Sequence, residues 1–115
     1  MQKNTMSTRA IILIRQESQN IHIRIYHHTD GYPDGIGVDI KQALEKHSRN
    51  WDACCIANEM LKGHNGFDEY YELTYCQHGD EEYAYLIDCD RKQLTCYKIG
   101  WDDFVWSDEK IIEIP

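Results

Sequence analysis

The sequence predicts an α+β domain. Two observations carry this. The order of hydrophobic periods runs strand, strand, helix, helix, then strands again, and the strands alternate with period 2, as they do when one face of a sheet is solvated. Runs of strands separated by a block of helices segregate into α+β folds. The simplest packing of the order ββααβββ is an antiparallel sheet of about five strands with both helices on one face.

The elements follow in order. Residues 1–7 are polar, show no pattern and read as a flexible N-terminal extension, leaving 8–115 as a single domain. Thr8 to Arg15 is rich in β-branched residues and reads as a strand. Gln16 to Asn20 is a polar turn. Ile21 to His27 then alternates, with Ile21, Ile23 and Ile25 facing one way and His22, Arg24 and Tyr26 the other. Ile36, Ile40, Ala43, Leu44 and His47 fall on one helical face, and Asp39 lies in the first turn, where the helix dipole favours an acid. Asn50 to Lys62 carries Ala53, Cys54, Ile56, Ala57, Met60 and Leu61 at helical spacing, with Asn50 as the expected N-cap and Gly63 as the C′ residue. Tyr70 to Cys76 is the next strand, and His78-Gly79-Asp80 turns the chain. Tyr83 to Cys89 and Leu94 to Ile99 form a hairpin; pairing of Cys89 with Leu94 would make Cys89 and Cys96 diagonal neighbours on one face. Gly100 to Asp108 reads as irregular, and Lys110 to Ile114 as a short last strand.

Composition narrows the function classes. Net charge is −8 over 115 residues, but residues 66–115 carry −9 and residues 1–65 carry +1. An acidic surface of this kind repels phosphate backbones, which speaks against direct nucleic-acid binding and suits a basic protein partner. The longest apolar run, Ala10 to Ile14, is far too short to span a bilayer, and no small-residue cleavage site follows it. The five cysteines, Cys54, Cys55, Cys76, Cys89 and Cys96, include no C-x2-C spacing and read as reduced thiols acting as small apolar residues. A cytoplasmic protein without cofactor and without membrane contact is the expectation.

Two stretches carry candidate function. The first is YHHTDGYPDGIG, Tyr26 to Gly37. Asp30-Gly31 suits a turn, Pro33 pushes Tyr32 towards an extended conformation, and Gly35 and Gly37 flank Ile36 before a helix. The pattern is neither a P-loop nor a dinucleotide fingerprint. Its candidate ligand-binding residues are His27, His28, Asp30, Tyr32, Asp34, Gly35 and Gly37. A metal held by His27 or His28 with Asp30 and Asp34 is the sharper version. Adjacent strand residues point to opposite faces, so only one histidine could join the aspartates, and no metal is assigned. Cys76 and His78 stand two apart near a strand end, without any accompanying nucleophile motif, so no catalytic residue is assigned.

The second stretch is WDDFVWSDE, Trp101 to Glu109. It mixes aromatics with acids in the manner of a protein-contact surface. Trp101, Asp102, Asp103, Phe104 and Trp106 are its candidate partner-binding residues.

MSTRAIILI (Met6 to Ile14) followed by IRIYHHTDGYPDGIG (Ile23 to Gly37) resembles a family of small uncharacterised proteins of bacteria, phages and mobile elements. These open with Met-Gly-Thr-Arg-Ser or similar and continue through a strand hairpin into a Tyr-Asp-Gly-Tyr-Pro-x-Gly-x-Gly-like loop and a helix. EEYAYLID (Glu81 to Asp88) is similar to a later strand in such proteins. The resemblance covers about the first third of the chain and implies that Met6 corresponds to the usual start. Ser7 and Thr29 depart from the pattern, where glycine and an aromatic residue are commoner. The family brings no established activity, so no residue role follows from it. The sequence as a whole points to a small accessory protein acting by protein contact through its acidic, aromatic part. The alternative is a small-ligand or metal-binding domain, with hydrolysis as an extension, built on loop 26–37.

Overall fold

A computed structural model describes residues 8–47, 51–61, 71–100 and 105–112. The fold is α+β, as the periodicities predict. Among the described residues its sheet differs from the expectation in two respects: it has six strands, and it is mixed. The strands are β1 (Arg9–Gln16), β2 (Ile21–His27), β3 (Tyr71–Thr74), β4 (Glu81–Asp88), β5 (Gln93–Ile99) and β6 (Trp106–Ile112), in the spatial order β3-β2-β1-β4-β5-β6. The helices are α1 (Val38–His47) and α2 (Ala53–Leu61).

The β1–β2 hairpin forms as read. Ile12 faces Ile25 and Ile14 faces Ile23, and Asn20 closes the turn in the left-handed region that asparagine tolerates. The even positions of β1 join Ile25, Tyr85, Ile87, Leu94 and Cys96 in the main core. Ile36, Ile40 and Leu44 from the first helical face, and Ala53, Ile56, Ala57 and Met60 from the second, complete it from one side. Burying each of the large aliphatic side chains contributes about 1.5–3 kcal/mol. Among the described residues no helix covers the other side of the sheet, the open face. It holds a smaller buried group, Ile11, Ala84 and Ile99, with Tyr97 and Trp106 against it.

Several ends are fixed differently from the sequence reading. Asn50 lies outside the described residues, but the cap of α2 is made by Asp52, whose Oδ1 accepts the Cys55 N–H at 2.8 Å. The α2 start is tied to the sheet by the Ala53 N–H donating to Gln16 Oε1 at 3.0 Å. In the β4–β5 hairpin Ile87, not Cys89, pairs with Leu94. Asp88 Oδ1 accepts the Arg91 N–H, which draws Cys89 into the turn. Cys89 and Cys96 are therefore not diagonal neighbours. All five thiols are free; Cys89 and Cys96 are buried, whereas Cys54 and Cys76 are exposed. The last strand begins at Trp106, earlier than expected. Among the described residues no helix is long and apolar enough to cross a membrane.

The main departure concerns the link from β3 to β4. His78-Gly79-Asp80 turns the chain, but the expected all-antiparallel sheet does not result. Instead β4 lies parallel to β1, with Ile12 facing Tyr85 and Ile14 facing Ile87. β3 runs in the same direction, so the chain must return along the sheet while passing β2 and β1. Three strand spacings of about 4.8 Å and four residue rises of about 3.3 Å make a diagonal of roughly 20 Å. The seven peptide steps from Thr74 to Glu81 reach roughly 24 Å when extended. Residues 75–80 are thus a nearly taut strap, and they cross the open face. His78 stacks on Tyr26 with ring centroids 3.7 Å apart and planes 11° from parallel. The Tyr26 hydroxyl donates to the Asp80 carboxylate, 2.8 Å from each oxygen, and Arg9 Nε stands 3.3 Å from Asp80 Oδ2. The buried Glu81 carboxylate accepts the N–H groups of His78 and Gly79 at 2.7 and 2.9 Å. Trp106 Nε1 donates to Gln77 Oε1 at 2.9 Å, tying the strap to β6.

This arrangement makes Tyr26 the anchor of the strap. Tyr26→Phe keeps the stacked ring and removes the bond to a carboxylate. Urea unfolding is expected to show a loss of about 1.5–3 kcal/mol, the usual worth of a hydrogen bond to a charged group. A loss under about 0.5 kcal/mol, within the range of an ordinary surface change, would show that the hydroxyl does not hold the strap.

Candidate functional site

The loop that the sequence singles out is built chiefly from backbone contacts. Asp30 takes a left-handed conformation, φ 51°, and starts the turn out of β2. Gly31 is pressed against the start of β1: its N–H donates to the Thr8 carbonyl at 2.8 Å, and an added Cβ would sit 2.8 Å from the Arg9 carbonyl carbon. Tyr85, fully buried, donates its hydroxyl to the Gly31 carbonyl at 2.7 Å. Pro33–Gly37 makes one π turn leading into α1. Within it the Gly35 N–H donates to the Tyr32 carbonyl and the Ile36 N–H to the Asp30 carbonyl. A Cβ on Gly35 would lie 2.5 Å from that same Asp30 carbonyl oxygen, so glycine is required by close approach. Two of the amides that could have cradled an anion are thereby engaged.

The side chains of the loop diverge. His27 points to the helix side, 4% exposed, with its ring 4.4 Å from that of Tyr71. His28 points to the open face, where Nε2 lies 2.8 Å from Glu72 Oε1 and its ring meets the edge of Tyr26. Tyr32, partly exposed, donates to Asp30 Oδ1 at 3.1 Å. Asp34 is exposed in the first turn of the helical segment. The structure brings Asp30 and Tyr32 together and turns the two histidines to opposite faces of the sheet, with Asp30 near enough to His27 to act on its charge. Among the described residues no group of three or more His, Cys, Asp or Glu is arranged to hold a metal ion. Asp39 is raised above the usual carboxylate range, first by burial and then by Asp30 nearby.

His78 does not join Cys76. Its Nε2 lies 3.2 Å from Thr74 Oγ1 and its ring covers Tyr26; among the described residues no hydrogen bond links it to the Cys76 sulfur.

No family model, no curated protein and no solved structure matches the chain.

Of the second candidate surface, Trp101, Asp102, Asp103 and Phe104 lie outside the described residues. Trp106 is described: it is half-buried on the open face, its ring 5.4 Å from that of Tyr97. Around it the surface is apolar and acidic. Val105 and Ile111 are both at least half exposed, and Asp108 and Glu109 are exposed. Beside them a cleft of about 350 Å³ is lined by Asp80, Glu81, Glu82, Lys98, Ile99 and Asp108, among others. Sequence reasoning missed Asp80, Glu82 and Lys98 as lining residues, because the strap that brings Asp80 towards β5 and β6 is a long-range feature. It also missed Leu73 and Tyr75, which are 61% and 89% exposed. The pattern of Tyr70 to Cys76 reads as one strand with both side chains on the face of Tyr71, whereas β3 ends at Thr74.

His27 offers a test of this geometry. Burial outweighs the Thr29 backbone contact and Asp30, and lowers its pKa to about 4. The unfolded chain takes up this proton near pH 6.5, the folded chain only near pH 4. Stability is therefore greatest above pH 6.5 and falls as pH drops to about 4, by about 3 kcal/mol. His27→Phe removes the titrating group. Urea unfolding between pH 7 and pH 4.5 is expected to show a shallower loss for the variant; parallel curves would contradict the burial of a neutral imidazole.

Proposed function

We propose that this chain is a binding module that works by protein contact, docking a basic protein on its acidic C-terminal half. The observation that carries the reading is the acidic cleft beside β6. Asp80, Glu81, Glu82 and Asp108 line it against Lys98, the single cation there among the described residues, and Val105, just before β6, and Ile111, near its end, are exposed aliphatic side chains in the same part of the chain. A cleft of this kind accepts a lysine or arginine side chain, and exposed apolar side chains elsewhere on the segment add the contact area that a charge pair alone lacks. The excess of acid in residues 66–115 adds a field that steers a basic partner towards it.

The alternative, a ligand site in loop 26–37, has less support. Its histidines diverge, and the Gly35 and Ile36 amides are engaged within the loop. The setting kept with the reading is that of a cytoplasmic accessory protein of bacterial, phage or mobile-element origin. It contacts neither membrane nor nucleic acid directly.

Affinity capture on the immobilised full chain, followed by mass spectrometry, tests this. A partner of basic composition is expected, released by raising salt to about 0.5 M, where screening shortens the Debye length to a few Å. Glu82→Lys with Asp108→Lys, and separately Trp101→Ala with Asp102→Lys and Asp103→Lys, are each expected to abolish capture. Undiminished capture by both variants would overturn the reading.

A further inference from the structure

The two edges of the sheet are guarded differently. At β6, Cys96 faces Lys110 and Lys98 faces Ser107, so that Tyr97 alone faces both Asp108 and Glu109. This is a bulge, with Asp108 in the left-handed region at φ 55°. A bulge among charged residues protects an edge against the addition of another strand.

Among the described residues the opposite edge has no such bulge. β3 pairs with β2 from Tyr71 opposite His27 to Thr74 opposite Arg24, and the register is unbroken. The chain then leaves this edge for the strap, while β2 extends further, to Ile21. Among the described residues no strand lies beside the outer edge of Ile21–Ile23. Continuing the register would place Tyr75 opposite Ile23; instead Tyr75 stands almost fully exposed, as does much of Leu73. His22, Ile23, Arg24, Leu73, Thr74 and Tyr75 line a shallow cleft of about 380 Å³ at this notch. Exposed aliphatic and aromatic side chains beside an open strand edge are what a strand-adding partner uses.

We propose that the notch binds an extended segment of a protein partner, added to β2 as a short strand and alternating apolar and acidic side chains. The register sets the alternation. Positions opposite Ile21 and Ile23 lie on the helix side, where Ile23 and Leu73 offer apolar surface. The position opposite His22 lies on the open face beside Arg24, and takes a carboxylate. Arg24 makes no ion pair with a described carboxylate, whereas His22 has Glu17 Oε2 at 3.3 Å from its Nε2. The unmatched cation is therefore the arginine, whose planar fork suits a carboxylate. A second copy of this chain is a poorer occupant: its acidic strand β6 is bulged at Asp108 and Glu109, and cannot present a regular edge.

Fluorescence anisotropy with the full chain and a short labelled peptide alternating valine and glutamate tests the proposal. Saturable binding is expected, with the valine–lysine counterpart weaker by about tenfold or more, or 1.4 kcal/mol. Arg24→Glu should reverse that order, and Leu73→Ser, at an exposed position, should weaken binding of the glutamate peptide. Amide exchange at Ile21–Ile23 should slow on addition of this peptide. Equal affinity for both peptides, or protection confined to other strands, would overturn the proposal. So would a dimer in sedimentation that Arg24→Glu dissolves, which would assign the edge to a second copy.

Discussion

The strap over the open face is the constraint from which much of the structure follows. Six residues must carry the chain from one edge of the sheet to its centre, against the direction in which β3 has just run. A parallel link more often spends a dozen or more residues, commonly a helix. Here the shortness of the link leaves little slack, and contacts at nearly every residue hold it down. Tyr26 supplies both a ring for His78 and a hydroxyl for Asp80. Burial and the adjacent carboxylate raise the pKa of that hydroxyl, so it stays a donor across the pH range in which proteins work. Glu81 satisfies the amides that the turn leaves without a ladder partner.

The strap also decides where the surfaces lie. By leaving β3 after Thr74 it bares the first part of β2, and by arriving at Glu81 it sets Asp80 beside β5 and β6. One edge thus becomes open and carries the unmatched Arg24, while the far side becomes acidic and bulged. The loop at Tyr26 to Gly37 belongs to neither surface in any large measure. It closes the sheet against α1, with Gly31 held between Thr8 and Tyr85.

Local periodicity made much of the fold legible. The alternation of Ile21, Ile23 and Ile25 placed the β2 faces correctly, and adjacent strand positions separated His27 from His28. The helical faces were marked by Ile36, Ile40 and Leu44. The left-handed turn at Gly79, φ 100°, was also signalled by its glycine. Which strands that turn joins was not, because pairing between distant segments leaves no mark on period. A trace did exist. Ala10 to Ile14 and Tyr83 to Ile87 are near-continuous apolar runs, and strands buried on both faces read this way. Taken together they point to two central neighbours, which is what β1 and β4 are. The notch at Ile21–Ile23 is hidden for the same reason, since nothing in the period of Tyr70 to Cys76 says which strand it pairs with.

The β1–β4 pairing has a kinetic side. Arg15 and Asp88, joined at 2.9 Å across it, are 73 positions apart in the chain. The hairpins β1–β2 and β4–β5 close over short turns. The central pairing instead closes a long loop, and the entropy of that closure is lost before any contact returns it. In the ordering of small domains by contact order, this one seam moves the chain towards the slower folders. During that wait the edges of both central strands are open, so the same apolar runs that make β1 and β4 a stable pair make the half-folded chain prone to pairing with its neighbours.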